Sequence, residues 1–253
     1  MTSTRDWNAA SYDAVARPVQ ALGHTLLDRL ELRGDETVLD AGCGSGAVTA
    51  ALVDRVPGGR VIAIDGAPTM VAEARARLGD RADVRLGDLS GLELEEPVDV
   101  VFSSATFHWV PDHAGLFRRL HAALRPGGRL LAQYGGDGNI ACVRAAIARA
   151  AAAPEFAPAL AGWPGPWTFD APDTATAALE LAGFTDIAAG LHTVTVTSDR
   201  PHEYLETVIL GSHLDRLADG LRAPFVAAVA AGLPEPLVVD YVRITVSAVR
   251  PLS

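Results

Sequence analysis

The sequence predicts an α/β fold: a doubly wound sheet of seven strands, mostly parallel with an antiparallel last strand, carrying a helical and loop cap. Three observations point there. Between residues 37 and 134 short apolar runs alternate with helix-like segments, and parallel strands need long crossovers of that kind, which cover both faces of the sheet. Pro57-Gly58-Gly59 and Pro126-Gly127-Gly128 stand where a helix must stop and a strand begin. After Gly135 two late strand patterns lack the earlier crossover rhythm, which suggests a terminal antiparallel pair completing the sheet.

The elements follow in order. Over residues 14–32, Val15, Val19, Leu22, Leu26 and Leu30 have amphipathic spacing, consistent with a helix beside the sheet or over its ligand edge. TVLDAG then precedes AVTAALVDRV, RVIAID precedes APTMVAEARARL, and ADVRLGD is a third strand. VDVVFSS and GRLLAQY, the fourth and fifth strands, flank the helix HAGLFRRLHAAL. Residues 140–153 form an Ala-rich helix, followed by a loop holding Pro154, Pro158, Pro164 and Pro166 with Trp163 and Trp167, which looks like an inserted cap. A helix over 173–182 ends at Gly183 and leads into FTDIAAGLHTVTVTS, whose second half alternates like a half-exposed strand. Residues 201–233 read as one or two helices and 238–249 as the last strand. The expected division is 1–35 as a helical lid, 36–136 as the core, 137–182 and 198–237 as cap insertions, and 183–197 with 238–253 as the terminal strands.

Composition narrows the function. The chain has 253 residues, 49% hydrophobic and 21% charged, enough for one large domain or a core with a smaller cap. Its 21 basic against 31 acidic residues leave a net charge of -10, without the basic footprint that phosphate-backbone binding requires. All the basic residues are Arg, which excludes a lysine Schiff base and a Walker A lysine. Cys43 and Cys142 form neither a bridge framework nor a paired zinc pattern, so a reducing cytoplasm is the expected setting. No stretch reaches about 18 uninterrupted apolar residues, the length a spanning helix needs. The expected partner is a small molecule, with no nucleic acid and no membrane, bound by a monomer or homodimer.

The strongest local signal is Asp40-Ala41-Gly42-Cys43-Gly44-Ser45-Gly46, directly after the first strand and before a helix. Glycines there let the backbone turn tightly and approach a ligand closely. The pattern alone is ambiguous, because Gly42, Gly44 and Ala47 also satisfy a dinucleotide fingerprint. Asp65 ends the second strand, where an acid can accept from both hydroxyls of an adenosine ribose. Asp88, within Gly87-Asp88-Leu89, adds a carboxylate after the third strand, suited to an adenine amine. Asp40 suits a cationic amino-acid moiety better than a pyrophosphate. The three acids could each merely cap the next helix, but as a set they fit S-adenosylmethionine.

These runs, with I-D-G-A-P-T-M after the second strand, F-S-S-A-T-F-H-W after the fourth and L-R-P-G-G-R-L before the fifth, resemble the ordered motifs of class I S-adenosylmethionine-dependent methyltransferases, which have a Rossmann-like core. The resemblance covers about residues 7–139. W-N-A-A-S-Y, F-H-W-V-P-D, Y-G-G-D-G-N and the late D-Y-V-R are similar to the trans-aconitate methyltransferase-like group of small-molecule enzymes. The resemblance implies that Asp40, Ala41, Gly42, Cys43, Gly44 and Gly46 wrap the methionine part and Asp65 holds the ribose. It places Gly87, Asp88 and Leu89 at the adenine with Gly66, Ala67 and Met70 beside it, and Ser104 and Ala105 at the activated methyl. Trp7 and Tyr12 fall in a leading segment that closes over the donor. Cys43 is then a small loop residue, since displacement at a methyl needs no thiolate.

Methyl transfer is a direct displacement, so alignment and removal of water matter most. A carboxylate acceptor needs no base, whereas a hydroxyl or carbon acid usually does. His108, after the fourth strand, is the candidate base; the alternative is a ring packed on Trp109 or hydrogen-bonded to the donor. A metal shared by His108, Asp112 and His113 is not expected. Trp7, His108, Trp109, Tyr134, Asn139, Trp163 and Trp167 are expected at the acceptor, although the two cap tryptophans, with Phe156 and Phe169, could equally be packing under a loop. Arg144, Arg149, Arg200, Arg216 and Arg222 could serve a polyanionic acceptor, but nothing in the sequence places them there. The expected reaction is O- or C-methylation of a small molecule. The rivals are a non-methylating or regulatory S-adenosylmethionine-binding protein and, less favoured, an NAD(P)-dependent reductase.

Overall fold

The computed structural model describes residues 17–252. One seven-stranded sheet runs through them in the order β3-β2-β1-β4-β5-β7-β6. The strands are β1 Thr37–Ala41, β2 Arg60–Asp65, β3 Asp83–Leu86, β4 Val98–Ser104, β5 Leu124–Gly135, β6 Thr185–Ser198 and β7 Leu237–Val249. β1 to β5 pair in parallel. β7 inserts between β5 and β6 and is antiparallel to both, which is the terminal pair the sequence suggests. The helices are α1 Arg17–Leu27, α2 Ala47–Asp54, α3 Pro68–Leu78, α4 His113–Ala123, α5 Ala141–Ala151, α6 Ala157–Leu160, α7 Pro172–Leu181, α8 Pro201–Tyr204, α9 Gly211–Leu214 and α10 Asp219–Ala231.

The central strands are apolar on both faces because both are covered. Val38, Val100 and Phe102 join Leu26 and Leu27 of α1 and Leu52 of α2. The alternate residues Leu39 and Val101 join Phe117 and Leu120 of α4 and Leu179 of α7, as the period of two along a strand requires. α1 can lie against the end of β4 because Gly23 lacks a side chain: a Cβ there would stand 2.7 Å from Val48 Cγ2 and 3.0 Å from Ser104 Oγ. A third apolar cluster, around Val143, Phe156, Tyr204, Leu205 and Phe225, gathers the helices that follow β5 and the helices before β7.

Three boundaries differ from expectation. α4 stops at Ala123 and β5 begins at Leu124, which pairs with Val98; the pairing then shifts register before Val100. Pro126-Gly127-Gly128 therefore bulges the start of β5, with Gly127 at φ 77°. Residues 201–233 break into three helices with a π-helical turn at Leu205–Ile209, and Ala218 at ψ 148° interrupts the chain before α10. β6 extends over all of Thr185–Ser198. No helix among the described residues is long and apolar enough to cross a membrane.

Candidate functional site

The strand order reverses between β1 and β4, and open α/β sheets bind ligands in the crevice beyond the carboxyl ends of the strands at such a point. A cavity of about 690 Å³ lies there. Of the residues expected at the cofactor, Asp40, Gly42, Cys43, Gly44, Asp65, Gly66, Met70, Gly87, Asp88, Leu89, Ser104 and Ala105 line it. Of those expected at the acceptor, His108, Trp109, Asn139, Trp163 and Trp167 line the same cavity. Trp7 and Tyr12 lie outside the described residues.

Ala41, Gly46, Ala67 and Tyr134 do not line it, for distinct reasons; Ala67 is buried where it caps α3. The Ala41 carbonyl accepts from Ser103 Oγ at 2.6 Å and the residue is fully buried. Gly46, at φ 78°, caps α2, and a Cβ on it would press on Ala74 at 3.2 Å, so this glycine serves the packing of α2 on α3. Tyr134, expected to give the acceptor a polar contact, is fully buried, and its hydroxyl donates away from the cavity to Asp170 Oδ2 at 3.1 Å.

The glycine loop is fixed from two sides. Gly42 and Cys43 donate their N–H groups to the Ile64 carbonyl at 2.8 and 3.1 Å, and Thr106 Oγ1 donates to the Gly42 carbonyl at 3.1 Å. Gly42 sits at φ 88°, where a Cβ would stand 2.1 Å from the Thr106 side chain, so two independent constraints demand glycine. Gly44, at φ 54°, has nothing within 4 Å of where a Cβ would be, leaving its backbone open towards the cavity. The Asp65 oxygens accept from Gly44 N–H and Ala67 N–H, each at 2.9 Å, and each keeps lone-pair capacity for a ligand. Asp88 accepts from Ser90 N–H at 2.8 Å, so it caps a turn and lines the cavity together.

Burial governs the protonation of this end. Asp40 is 2% exposed and accepts from Thr49 Oγ1 at 2.7 Å; burial outweighs that bond and, with Asp65 nearby, pushes its pKa up to about 7. Burial likewise raises Asp65. Burial, then the charges of Asp40 and Asp65, pushes the Cys43 thiol up and keeps it protonated.

His108 differs from the expected base. β5 outruns β4, and Gly135 N–H donates to His108 Nδ1 at 3.3 Å, so the imidazole completes the edge of the ladder. Burial, then the charges of Arg243 and His113, hold its pKa well below the ordinary histidine value. The ring is neutral, and because Nδ1 is the acceptor, the proton sits on Nε2. It packs against Trp109 and Phe169 with centroids at 5.2 and 6.0 Å. Further along, Trp109 meets Trp167 at 5.9 Å and Trp167 stacks on Phe169 at 5.9 Å. The Asn139 Oδ1 is buried without a hydrogen-bond partner. Ala105 and Ile140 occupy left-handed backbone at φ 60° and 46° and both line the cavity; strain of this kind collects at functional sites.

Of the cations at the cavity, the sequence offered Arg216 without placing it and gave no role to Arg243. Arg216 lines the cavity with its guanidinium 4.7 Å from the Trp163 ring centroid. Arg243 of β7, 3% exposed, also lines it, 4.7 Å from the Tyr241 ring centroid. Arg144, Arg149, Arg200 and Arg222 do not line it. Carboxylates therefore line the β3-β2-β1 half, whereas Arg243 enters from β7 at the other half of the sheet and Arg216, with Asp215, from the segment between α9 and α10. The run D-Y-V-R carried a signal for Arg243, but only the pairing of β7 beside β5 brings it in. Among the described residues no group of three or more His, Cys, Asp or Glu could hold a metal ion.

A methyltransferase domain model matches residues 39–132. A trans-aconitate 2-methyltransferase of Methylobacterium nodulans is 40% identical over 128 residues, 51% of this chain and 49% of that protein. Another, from Methylobacterium radiotolerans, is 35% identical over 193 residues, 73% of this chain and 68% of that protein. Several such relatives are matched over about half their length. Among solved structures, phosphoethanolamine N-methyltransferase 2 of Haemonchus contortus, in complex with phosphomonomethylethanolamine and S-adenosylhomocysteine, superposes with a TM-score of 0.64 at 18% identity, over 96% of this chain and 57% of that one. That likeness is one of fold.

Proposed function

Because this chain belongs to the class I S-adenosylmethionine-dependent methyltransferases, we propose that it methylates a small carboxylic acid on oxygen, with the donor at the acidic half of the cavity and the acceptor at the arginine wall. The observation that carries the proposal is the division of charge within one cavity, acids at the ends of β1 to β3 and arginines from β7 and the cap. A sulfonium and an ammonium favour the wall of Asp40, Asp65 and Asp88, and a carboxylate favours Arg216 and Arg243.

The residues present fit the cofactor. The open backbone at Gly44 and the turn at Gly42 leave room for the methionine part, with Asp40 beneath it. Asp65 holds the ribose, and Asp88, Leu89, Gly66 and Met70 border the adenine. Ser104 and Ala105 border the methyl. When bound, S-adenosylmethionine would supply an activated methyl group, whose carbon bonds to the acceptor oxygen as the C–S bond breaks and the sulfur leaves as a neutral thioether.

The rest falls to this chain's own residues. A carboxylate is already anionic near neutral pH, so no base is needed and His108 can remain the neutral donor that its Gly135 contact makes it. Arg216 and Arg243 orient the acid, and Trp109, Trp163 and Trp167 exclude water and fix the approach. The segments 137–182 and 198–237 act as the acceptor cap. S-adenosylhomocysteine formation with trans-aconitate, a monocarboxylate and a phenol as trial acceptors tests the reading. Turnover with an acid and not with the phenol supports it; turnover with the phenol alone overturns it.

A further inference from the structure

A second polar centre lies behind the cavity and takes no part in the chemistry just described. His113, at the start of α4, and Asp170, in the segment before α7, are both buried, and His113 Nδ1 pairs with Asp170 Oδ2. His113 Nε2 meets the Phe107 carbonyl oxygen at 2.8 Å, and Tyr134 donates to the same carboxylate oxygen of Asp170 at 3.1 Å. A carboxylate and a carbonyl only accept, so His113 satisfies both when each ring nitrogen carries a proton. A buried ion pair of this kind adds little net stability over apolar packing, because desolvation offsets the attraction. Its placement is what distinguishes it.

Phe107 immediately precedes His108 and Trp109, and Asp170 closely follows Trp167 and Phe169. The two segments are also joined directly, Thr168 N–H to the His108 carbonyl at 2.9 Å, while Asp137 N–H donates to the Asp170 carbonyl at 2.8 Å. One imidazole therefore spans two separate stretches of chain whose aromatic rings face each other across the wall. Neither His113 nor Asp170 lines the cavity.

We propose that His113 and Asp170 form a positioning clasp that holds the His108–Trp109 turn and the Trp163–Phe169 segment in one register, and so sets acceptor affinity without touching donor or acceptor. The clasp rests on the reading above only in assigning that wall to the acceptor. The charge on His113 also acts on its neighbour, adding to burial and Arg243 in keeping His108 neutral.

The test uses the full chain with His113→Ala, Asp170→Ala and Asp170→Asn. With its amide oxygen in the place of Oδ2, asparagine can accept from both His113 Nδ1–H and Tyr134, so it preserves the two contacts without the carboxylate's charge. Hydrogen exchange over residues 105–110 and 163–170, S-adenosylhomocysteine affinity by calorimetry, and kcat and KM with trans-aconitate as the probe acceptor are the readouts. The alanine variants should speed exchange in both segments about tenfold or more while β1 and β4 stay protected. They should raise KM about tenfold, with a smaller change in kcat and S-adenosylhomocysteine affinity held within about twofold. Asp170→Asn should restore most of both effects. Unchanged exchange in either segment, a matching loss of S-adenosylhomocysteine affinity, or failure of asparagine to rescue overturns the clasp. No turnover of trans-aconitate by the wild type counts against the acceptor reading alone, and exchange and rescue still decide the clasp.

Discussion

Replacing Asp40 with asparagine should stabilise the protein at alkaline pH while weakening its hold on the donor. The folded chain holds the Asp40 pKa at about 7 against an ordinary value of 3.8. A group raised on folding binds its proton more tightly in the native state, so its contribution to stability is complete below the unfolded value and is lost as pH rises through the folded one. Three pKa units correspond to about 4 kcal/mol, the loss expected by pH 8, against under about 2 kcal/mol at pH 5. The introduced amide would keep the bond from Thr49 Oγ1, because its oxygen also accepts. For a chain of this size the Asp40→Asn variant should melt roughly 10 °C higher at pH 8, and rise by well under half of that at pH 5. Donor affinity should fall by roughly 1.5 to 3 kcal/mol through loss of a charge-assisted contact. Thermal unfolding at the two pH values and calorimetric titration with S-adenosylmethionine measure both effects. Equal melting shifts at pH 5 and pH 8, or a stabilised variant with undiminished donor affinity, would refute the reasoning.

Other expectations follow from the same geometry. Wild-type affinity for S-adenosylmethionine should climb between pH 6 and pH 8, because only ionised Asp40 attracts the cation; titrations across that range would show a flat profile if Asp40 were remote from the donor. Arg243→Met and Arg216→Met should each raise acceptor KM by roughly tenfold to a hundredfold with donor affinity unchanged, the weight of a charge-assisted contact, and steady-state kinetics separate the two quantities. His108→Ala should lower turnover by about tenfold or less and leave the pH profile unchanged, since a carboxylate acceptor gives it no proton to remove; a loss of about 10² or more with a missing ionisation would restore it as the base. Gly42→Ala should abolish donor binding, because its Cβ would stand 2.1 Å from Thr106 at a φ of 88°, and retained binding by calorimetry would contradict the constraints assigned to the loop.

The donor half was legible in the sequence because its determinants are local. Asp40, Asp65 and Asp88 each lie at or just beyond the end of a strand, and parallel strands bring their ends to one edge without further information. The acceptor half depends on contacts between residues far apart in the chain. Arg243 enters because β7 slots between β5 and β6, and an isolated arginine in a strand carries no sign of that. Asp170 reaches His113 across 57 residues, and Tyr134 faces that pair rather than the cavity. His108 was visible as a histidine at the right loop, but its tautomer follows from a Gly135 N–H that only the overhang of β5 past β4 exposes. The broken helices over 201–233 show the same limit, since apolar spacing alone does not reveal where tertiary packing interrupts a helix.

The proposed chemistry is the passage of one methyl group from a donor at the carboxylate wall to an acid at the arginine wall. Incubation with S-adenosylmethionine carrying a ¹³C methyl, with trans-aconitate as acceptor, followed by NMR of the product before and after mild alkaline hydrolysis, tests this most directly. The expected product is one labelled methyl ester per S-adenosylhomocysteine formed, with the label released as methanol by base. A labelled methyl that withstands base, bonded to carbon, nitrogen or a phenolic oxygen, or the absence of any labelled product from the acid, would contradict it.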